Sequence, residues 1–267
     1  MLKLNGISKT FNPGTVNEKK ALEGLSLHLE PGDFATIVGS NGAGKTTMFN
    51  AVAGAFYVDK GSVILGGEDV TFKPEFRRSR ELGRLFQDPM RGTAPHMTIE
   101  ENLALAYLRT SKHQYAFFSR TTKAEKKLFR DRLALLDMGL EDRMSQPVGL
   151  LSGGQRQALT LLMSTLVPPK LLMLDEHTAA LDPATAEKVL QLTRDIVAEY
   201  HITTMMVTHN MHQALEMGNR TLMMDGGRIV LDLKGKERQG LTVSGLLEKF
   251  RTGAGKALDN DRILLSE

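Results

Sequence analysis

Between the apolar run Phe34 to Val38 and a helix-compatible segment from Gly44 to about Gly54, the chain reads Gly39-Ser-Asn-Gly-Ala-Gly-Lys45-Thr46. Such a loop works only where a strand delivers the chain into the N-terminus of a helix, so it predicts an α/β core built on parallel strands. Gly39, Gly42 and Gly44 allow backbone conformations that a side chain forbids, and with Ser40, Asn41 and Ala43 they can present successive N–H groups to phosphates. The helix start adds the positive end of its dipole. Lys45 would reach the terminal phosphates of ATP as a point charge, the Thr46 hydroxyl would give magnesium an oxygen ligand, and Thr47 supports the helix start. A glycine-rich turn with an incidental lysine is the competing reading, and the intact flanks disfavour it.

Leu171-Leu-Met-Leu-Asp175 is a continuous apolar run, which predicts a short strand covered on both faces. Ligands of open parallel sheets lie at the carboxyl ends of strands, so Asp175 is placed to face the magnesium through water, and Glu176 to orient or deprotonate the attacking water. An acidic pair after a strand is often a solvated turn; beside the loop above, the functional reading is favoured. Ser152-Gly-Gly-Gln155 before the apolar segment Ala158 to Val167 fits a capping box. That does not account for Gly153 and Gly154, which weaken a helix unless something approaches its backbone closely. A glycine-bearing helix start is a second phosphate site in a chain with one lysine-bearing loop. That asks for two copies, each offering this segment to nucleotide held by the other.

With these motifs in this order, the sequence resembles the ATP-binding cassette (ABC) family of ATPases over nearly all of its length. Gly39 to Thr46 matches the Walker A loop, Gln87 in Leu85-Phe86-Gln87-Asp88 the Q-loop, and Leu151 to Gln155 the family signature. Asp175-Glu176 matches the Walker B end, Ala180-Leu181-Asp182 the D-loop, and His209 in Val207-Thr208-His209 the switch histidine. The resemblance implies a P-loop NTPase (RecA-like) core with an N-terminal antiparallel β-subdomain and an inserted helical subdomain. It also implies a head-to-tail dimer in which Ser152 and Gly154 of one subunit contact the γ-phosphate held by the other. Within it Gln87 is a magnesium ligand and reporter of nucleotide state, His209 attends the γ-phosphate, and Asp182 lies at the subunit contact. Asp182-Pro183 independently predicts the start of a helix running to about Tyr200.

Two positions depart from the family pattern. His177 stands where Pro is common and is read as a variant without a catalytic role; Met163 replaces an Arg of the signature helix. The aromatic residue that stacks on adenine has Phe11 as its candidate, with a core phenylalanine as the competing reading.

The 267 residues suffice for a single ATPase domain, with a helical subdomain over about 88–165 and a short tail over about 235–267. Cysteine is absent, which excludes disulfides and thiolate metal sites and suits a reducing compartment. No apolar stretch is long enough to span a bilayer and no signal-peptide pattern opens the chain, so membrane attachment is expected through a partner. Net charge is +3 with scattered cations, and the densest basic stretch, Arg120 to Arg132, reads as the solvated face of a helix begun by Thr122 and Glu125. Leu128, Leu133, Leu135 and Leu136 would form its apolar face. A nucleic-acid partner is not expected, because aromatic and basic interleaving is missing.

Thr98 to Glu101 predicts the cap of a helix to about Arg109, and Leu222 to Leu231 a hairpin around Gly226-Gly227. The resemblance leans toward an importer's ATPase: no fused membrane helices, and no exporter-like segment before the signature. The implied partners are a second ATPase subunit, an integral membrane permease on whose inner face the chain sits, and, indirectly, an external substrate-binding protein. Amino acids are the expected cargo. The alternative is an ABC ATPase that drives iron–sulfur cluster assembly or cell division.

Overall fold

The computed structural model describes residues 1–110 and 121–253, arranged as two compact units, one of residues 1–78 with those from 202 onward and one of residues 79–201. Arg120, at the head of the basic stretch, the tail from residue 254 and the side chain of Phe250 lie outside the described residues.

In the first unit, β1 (Leu2–Phe11), β2 (Lys19–Leu29), β4 (Lys60–Leu65) and β5 (Glu68–Asp69) form an antiparallel sheet ordered β2-β1-β4-β5. Its core face is set by alternation: Leu2 and Leu4 of β1 lie opposite Leu29 and Leu27 of β2, all buried. The turn between them holds Asn12 at a φ of 50°, a left-handed conformation that asparagine tolerates better than most residues.

The same unit carries β3 (Phe34–Gly39) parallel to both β8 (Thr203–Val207) and β9 (Arg220–Asp225), with β10 (Arg228–Lys234) returning antiparallel on β9. Every residue of β3 and β8 is buried, as expected of strands covered on both faces. Helices α1 (Lys45–Ala53), α7 (Met211–Glu216) and α8 (Val243–Gly253) follow the strands. Val38, Met211, Ala214, Met223, Leu233 and Leu246 make one core cluster there. Arg78, at the end of the four-residue α2 (Glu75–Arg78), is 2% exposed and donates to the carbonyls of Ala51, Val52, Thr71 and Lys73. It thereby satisfies the last carbonyls of α1 with a cation, where the helix dipole favours one.

The second unit contains the parallel pair β6 (Leu82–Leu85) and β7 (Leu171–Asp175), and helices α3 (Ile99–Thr110), α4 (Lys123–Ala134), α5 (Gly153–Thr165) and α6 (Pro183–Tyr200). The segment 88–165 read as a helical subdomain falls inside it. Ile99, Leu103, Phe129, Leu133, Leu159 and Leu162 anchor its core. Thr122 and Glu125 form the capping box of α4, and Thr98 and Glu101 exchange the equivalent bonds at α3. One apolar assignment differs. Helix α4 stops at Ala134, so Leu135 leaves the buried stripe of Leu133 and Leu136 and is 60% exposed.

Candidate functional site

The strand β3 enters α1 through the Gly39–Thr46 loop, and the glycines are required for different reasons. A Cβ on Gly39 would lie 2.3 Å from the Met224 carbonyl oxygen, and one on Gly44 2.7 Å from that of Ala21. Gly42 has open space around it, but its φ of 86° is one that L side chains rarely adopt. Gly44 caps α1 with no side-chain acceptor, and no acidic residue stands in the first turn, so the positive helix end is left for an external anion. Lys45 is 5% exposed, and its Nζ donates to the carbonyls of Gly39 at 2.7 Å and Ser40 at 3.1 Å. Ser40 is half-buried, whereas Asn41, Gly42 and Thr46 are exposed and Thr47 is half-buried. The lysine therefore folds back onto the carbonyls of its own loop.

Strands β3 and β8 run parallel with Ile37 beside Val207, and the Thr208 N–H donates to the Ile37 carbonyl at 3.2 Å. The exposed His209 thus leaves its strand at the same carboxyl edge as the Gly39 loop. Phe11, at the end of β1, is half-buried and meets Phe56 edge to face, with centroids 5.4 Å apart and the Lys9 ammonium near both rings. Lys9 is itself fixed by Asp59 at 2.7 Å, and this bond with the Thr10 N–H holds the Asp59 carboxyl below its usual range.

In the second unit the register Leu85 beside Leu174 brings Gln87 and Asp175 to one carboxyl edge. Asp175 is 9% exposed, Glu176 is half-buried, and Gln87 is exposed. Glu176 has a φ of 47°, a conformation uncommon outside glycine and found where a side chain must be aimed. His177, next in sequence, turns into the packing against α6. Its Nε2 lies 3.4 Å from Thr193 Oγ1, whose hydroxyl donates to the Val189 carbonyl and so leaves a lone pair for the ring N–H. Burial pushes the His177 pKa down to about 4, so at neutral pH the ring is uncharged.

At the start of α5, Ser152 Oγ accepts from the Gln155 N–H and Gln155 Oε1 accepts from the Ser152 N–H, both at 3.2 Å. The predicted capping box is present. The two glycines between them divide. A Cβ on Gly154 would come 2.0 Å from Thr185 Cγ2, whereas one on Gly153 would meet only Leu181 Cδ2 at an ordinary 3.5 Å. The Cβ side of Gly154 is occupied by Thr185 of α6, and Ser152 and Gly153 are exposed. Asp182 caps α6 by accepting from the Thr185 N–H at 3.1 Å, and bonding by Thr185 lowers its carboxyl pKa. Thr185 was not singled out in the sequence; its position three residues after an Asp-Pro cap marks it as the cap's donor, but nothing local announces its contact with Gly154.

Among the described residues no group of three or more His, Cys, Asp or Glu side chains forms a metal cluster. The predicted donors Thr46, Gln87 and Asp175 are hard oxygens, a set suited to magnesium, which takes its remaining ligands from phosphate and water. No helix among the described residues is long and apolar enough to cross a membrane.

The family model described as ABC transporter matches residues 22–179. A tyrosine transport ATP-binding protein of Clostridioides difficile is 42% identical over 251 residues, covering 94% of this chain and 98% of that protein. A sulfate/thiosulfate import ATP-binding protein of Bordetella parapertussis is 35% identical over 229 residues, which are 85% of this chain and 60% of that longer relative. Among solved structures, a dimeric ATP-binding cassette in a post-hydrolysis state, bound to ADP and Pi, matches with a TM-score of 0.75 at 25% identity, over 88% of this chain and 98% of the other. The matched span runs from β2 past the Glu176 turn and takes in the phosphate loop and the Ser152 helix start, so the chain belongs to the ABC transporter family and is one of its ATPases.

Proposed function

We propose that this ATPase binds ATP with magnesium and hydrolyses it as a dimer of like subunits, driving amino-acid import through a separate permease. The N–H groups of Gly39 to Thr47 and the Lys45 ammonium neutralise the phosphates; Thr46 and Gln87, with Asp175 through water, hold magnesium. Glu176 orients and deprotonates the attacking water, and His209 steadies the γ-phosphate as it leaves. Ser152 and Gly154, with Gly153 between them and the Gln155 cap behind them, meet the γ-phosphate held by the partner subunit, and Asp182 lies at that contact. The missing side chain of Gly154 also lets α6 pack beneath this helix start. Phe11 is the adenine-facing ring.

The observation that carries the ATP reading is the glycine-held loop on the uncompensated start of α1, with Lys45 bound by the loop's own carbonyls. For the cargo, the 42% identity to a tyrosine transport protein over 98% of that protein favours aromatic amino acids. The chain then works on the cytoplasmic face, attached through the permease, with an external binding protein delivering substrate to the other side.

Purification from native membranes with whatever remains bound, followed by reconstitution in vesicles, tests this. A polytopic membrane protein should accompany the chain, and hydrolysis should rise when tyrosine and the binding protein are supplied. Co-purification of a soluble scaffold or division protein instead would overturn the transport reading and leave the ATPase intact.

A further inference from the structure

Arg156 stands in the first turn of α5, one residue beyond the Ser152–Gln155 capping box, and none of the motif roles above uses it. Its Nη2 donates to the carbonyls of Gly149 at 3.1 Å, Leu151 at 3.0 Å and Val148 at 3.4 Å, the 3-10 turn that leads into Ser152. Its Nη1 lies 2.7 Å from the sulfur of Met90. Met90 belongs to the 3-10 turn Pro89–Gly92, which is capped by Asp88, directly after Gln87. One turn further along the same face of α5, Thr160 reaches Gly92 so closely that a Cβ there would lie 2.5 Å from its methyl carbon. The segment after Gln87 is thus seated on α5 at two points, and Arg156 adds a side-chain grip on the approach to Ser152, whose Val148 and Gly149 N–H groups also donate to the Met97 and Pro95 carbonyls further along the same segment.

The quality of that grip is uneven. Arg78 spends four donor contacts on carbonyl oxygens at 2.8 to 3.0 Å. Arg156 gives one donor group to a thioether, a weak acceptor, and its buried Nε has no partner among the described residues. A guanidinium held on one side by strong acceptors and on the other by a weak one can release the weak side at low cost while keeping the strong one. This suits a joint that transmits a displacement of one segment to the other, and not a permanent staple.

We propose that Arg156 is a positioning residue that couples the Gln87 segment to Ser152, setting the helix start for the partner's phosphate according to the state of Gln87. The inference rests on the composite-site reading given above. Steady-state hydrolysis by the full chain tests it through a double-mutant cycle of Arg156→Gln and Met90→Ala, with Arg156→Lys as the conservative variant. Nucleotide affinity is measured separately with a fluorescent ATP analogue and no magnesium, and folding by thermal unfolding.

Each single variant should lower kcat about tenfold with nucleotide affinity unchanged, and the double variant should fall no further, because both remove one linkage. Arg156→Lys should recover part of the loss. Unchanged kcat in Arg156→Gln, or losses that multiply in the double variant, would overturn the coupling; so would a loss that simply follows the thermal midpoint. Ser152→Arg separates the two levels. If wild-type turnover survives Ser152→Arg, the composite site itself is wrong and the coupling falls with it; if Ser152→Arg abolishes turnover while Arg156→Gln does nothing, only the coupling fails.

Discussion

Lys45 is nearly inaccessible, yet its ammonium faces two carbonyls of its own loop. Without it the carbonyls of Gly39 and Ser40 would stand unneutralised beside bound phosphate, so Lys45→Ala should weaken ATP binding at least about tenfold, as equilibrium titration would show. His177 makes a prediction of a different kind. Its folded pKa is about 4 against an ordinary 6.5, so between these values the unfolded chain binds the proton that the folded chain refuses. The stability is therefore full above about pH 6.5 and declines as pH falls toward 4, by on the order of 3 kcal/mol from this group. Denaturant titrations at several pH values should show a shallower decline in His177→Gln; an identical slope would contradict the burial argument. In the sequence His177 stands out as a departure beside an acidic pair. What could not be read was its burial against Thr193, since helix α6 approaches it only in three dimensions.

Among the elements, α5 and α6 show how a motif residue can serve packing and chemistry at once. Gly154→Ala forces a methyl into Thr185 and should cost about 1 to 3 kcal/mol, largely recovered by adding Thr185→Ser, which removes the offending carbon. Gly153→Ala has room, so it should change stability by less than about 1 kcal/mol while impairing turnover. Equal destabilisation by the two substitutions would contradict this division. Arg78→Ala should cost about 2 to 4 kcal/mol in thermal or chemical unfolding, because four carbonyls lose a buried cationic donor. The end of β7 and the start of α6 are legible in the sequence: a continuous apolar run stops at Asp175, and an Asp-Pro cap starts a helix running to about Tyr200, where the structure ends it. Short elements are not. The four residues of α2 and the 3-10 turns at Pro89 and Val148 are too brief for any period to register, and it is these that carry Arg78 and the contacts of Arg156.

For the whole molecule, the sequence placed Lys45, Gln87, Asp175, Glu176 and His209 just after strands; the structure carries β3 and β8 in parallel register in one unit and β6 and β7 in parallel register in the other. Sequence alone could not separate Gly153 from Gly154, nor say that α6 packs on the Cβ side of Gly154. Ser152 and Gly153 are exposed, and the phosphate that the helix start is proposed to meet is one held by a second copy. Sedimentation velocity of Glu176→Gln with saturating MgATP tests that most directly: binding without hydrolysis should hold the chain as a dimer that reverts to monomer when Ser152→Arg is added. A sedimentation coefficient that stays monomeric at saturating MgATP would contradict nucleotide shared between two copies.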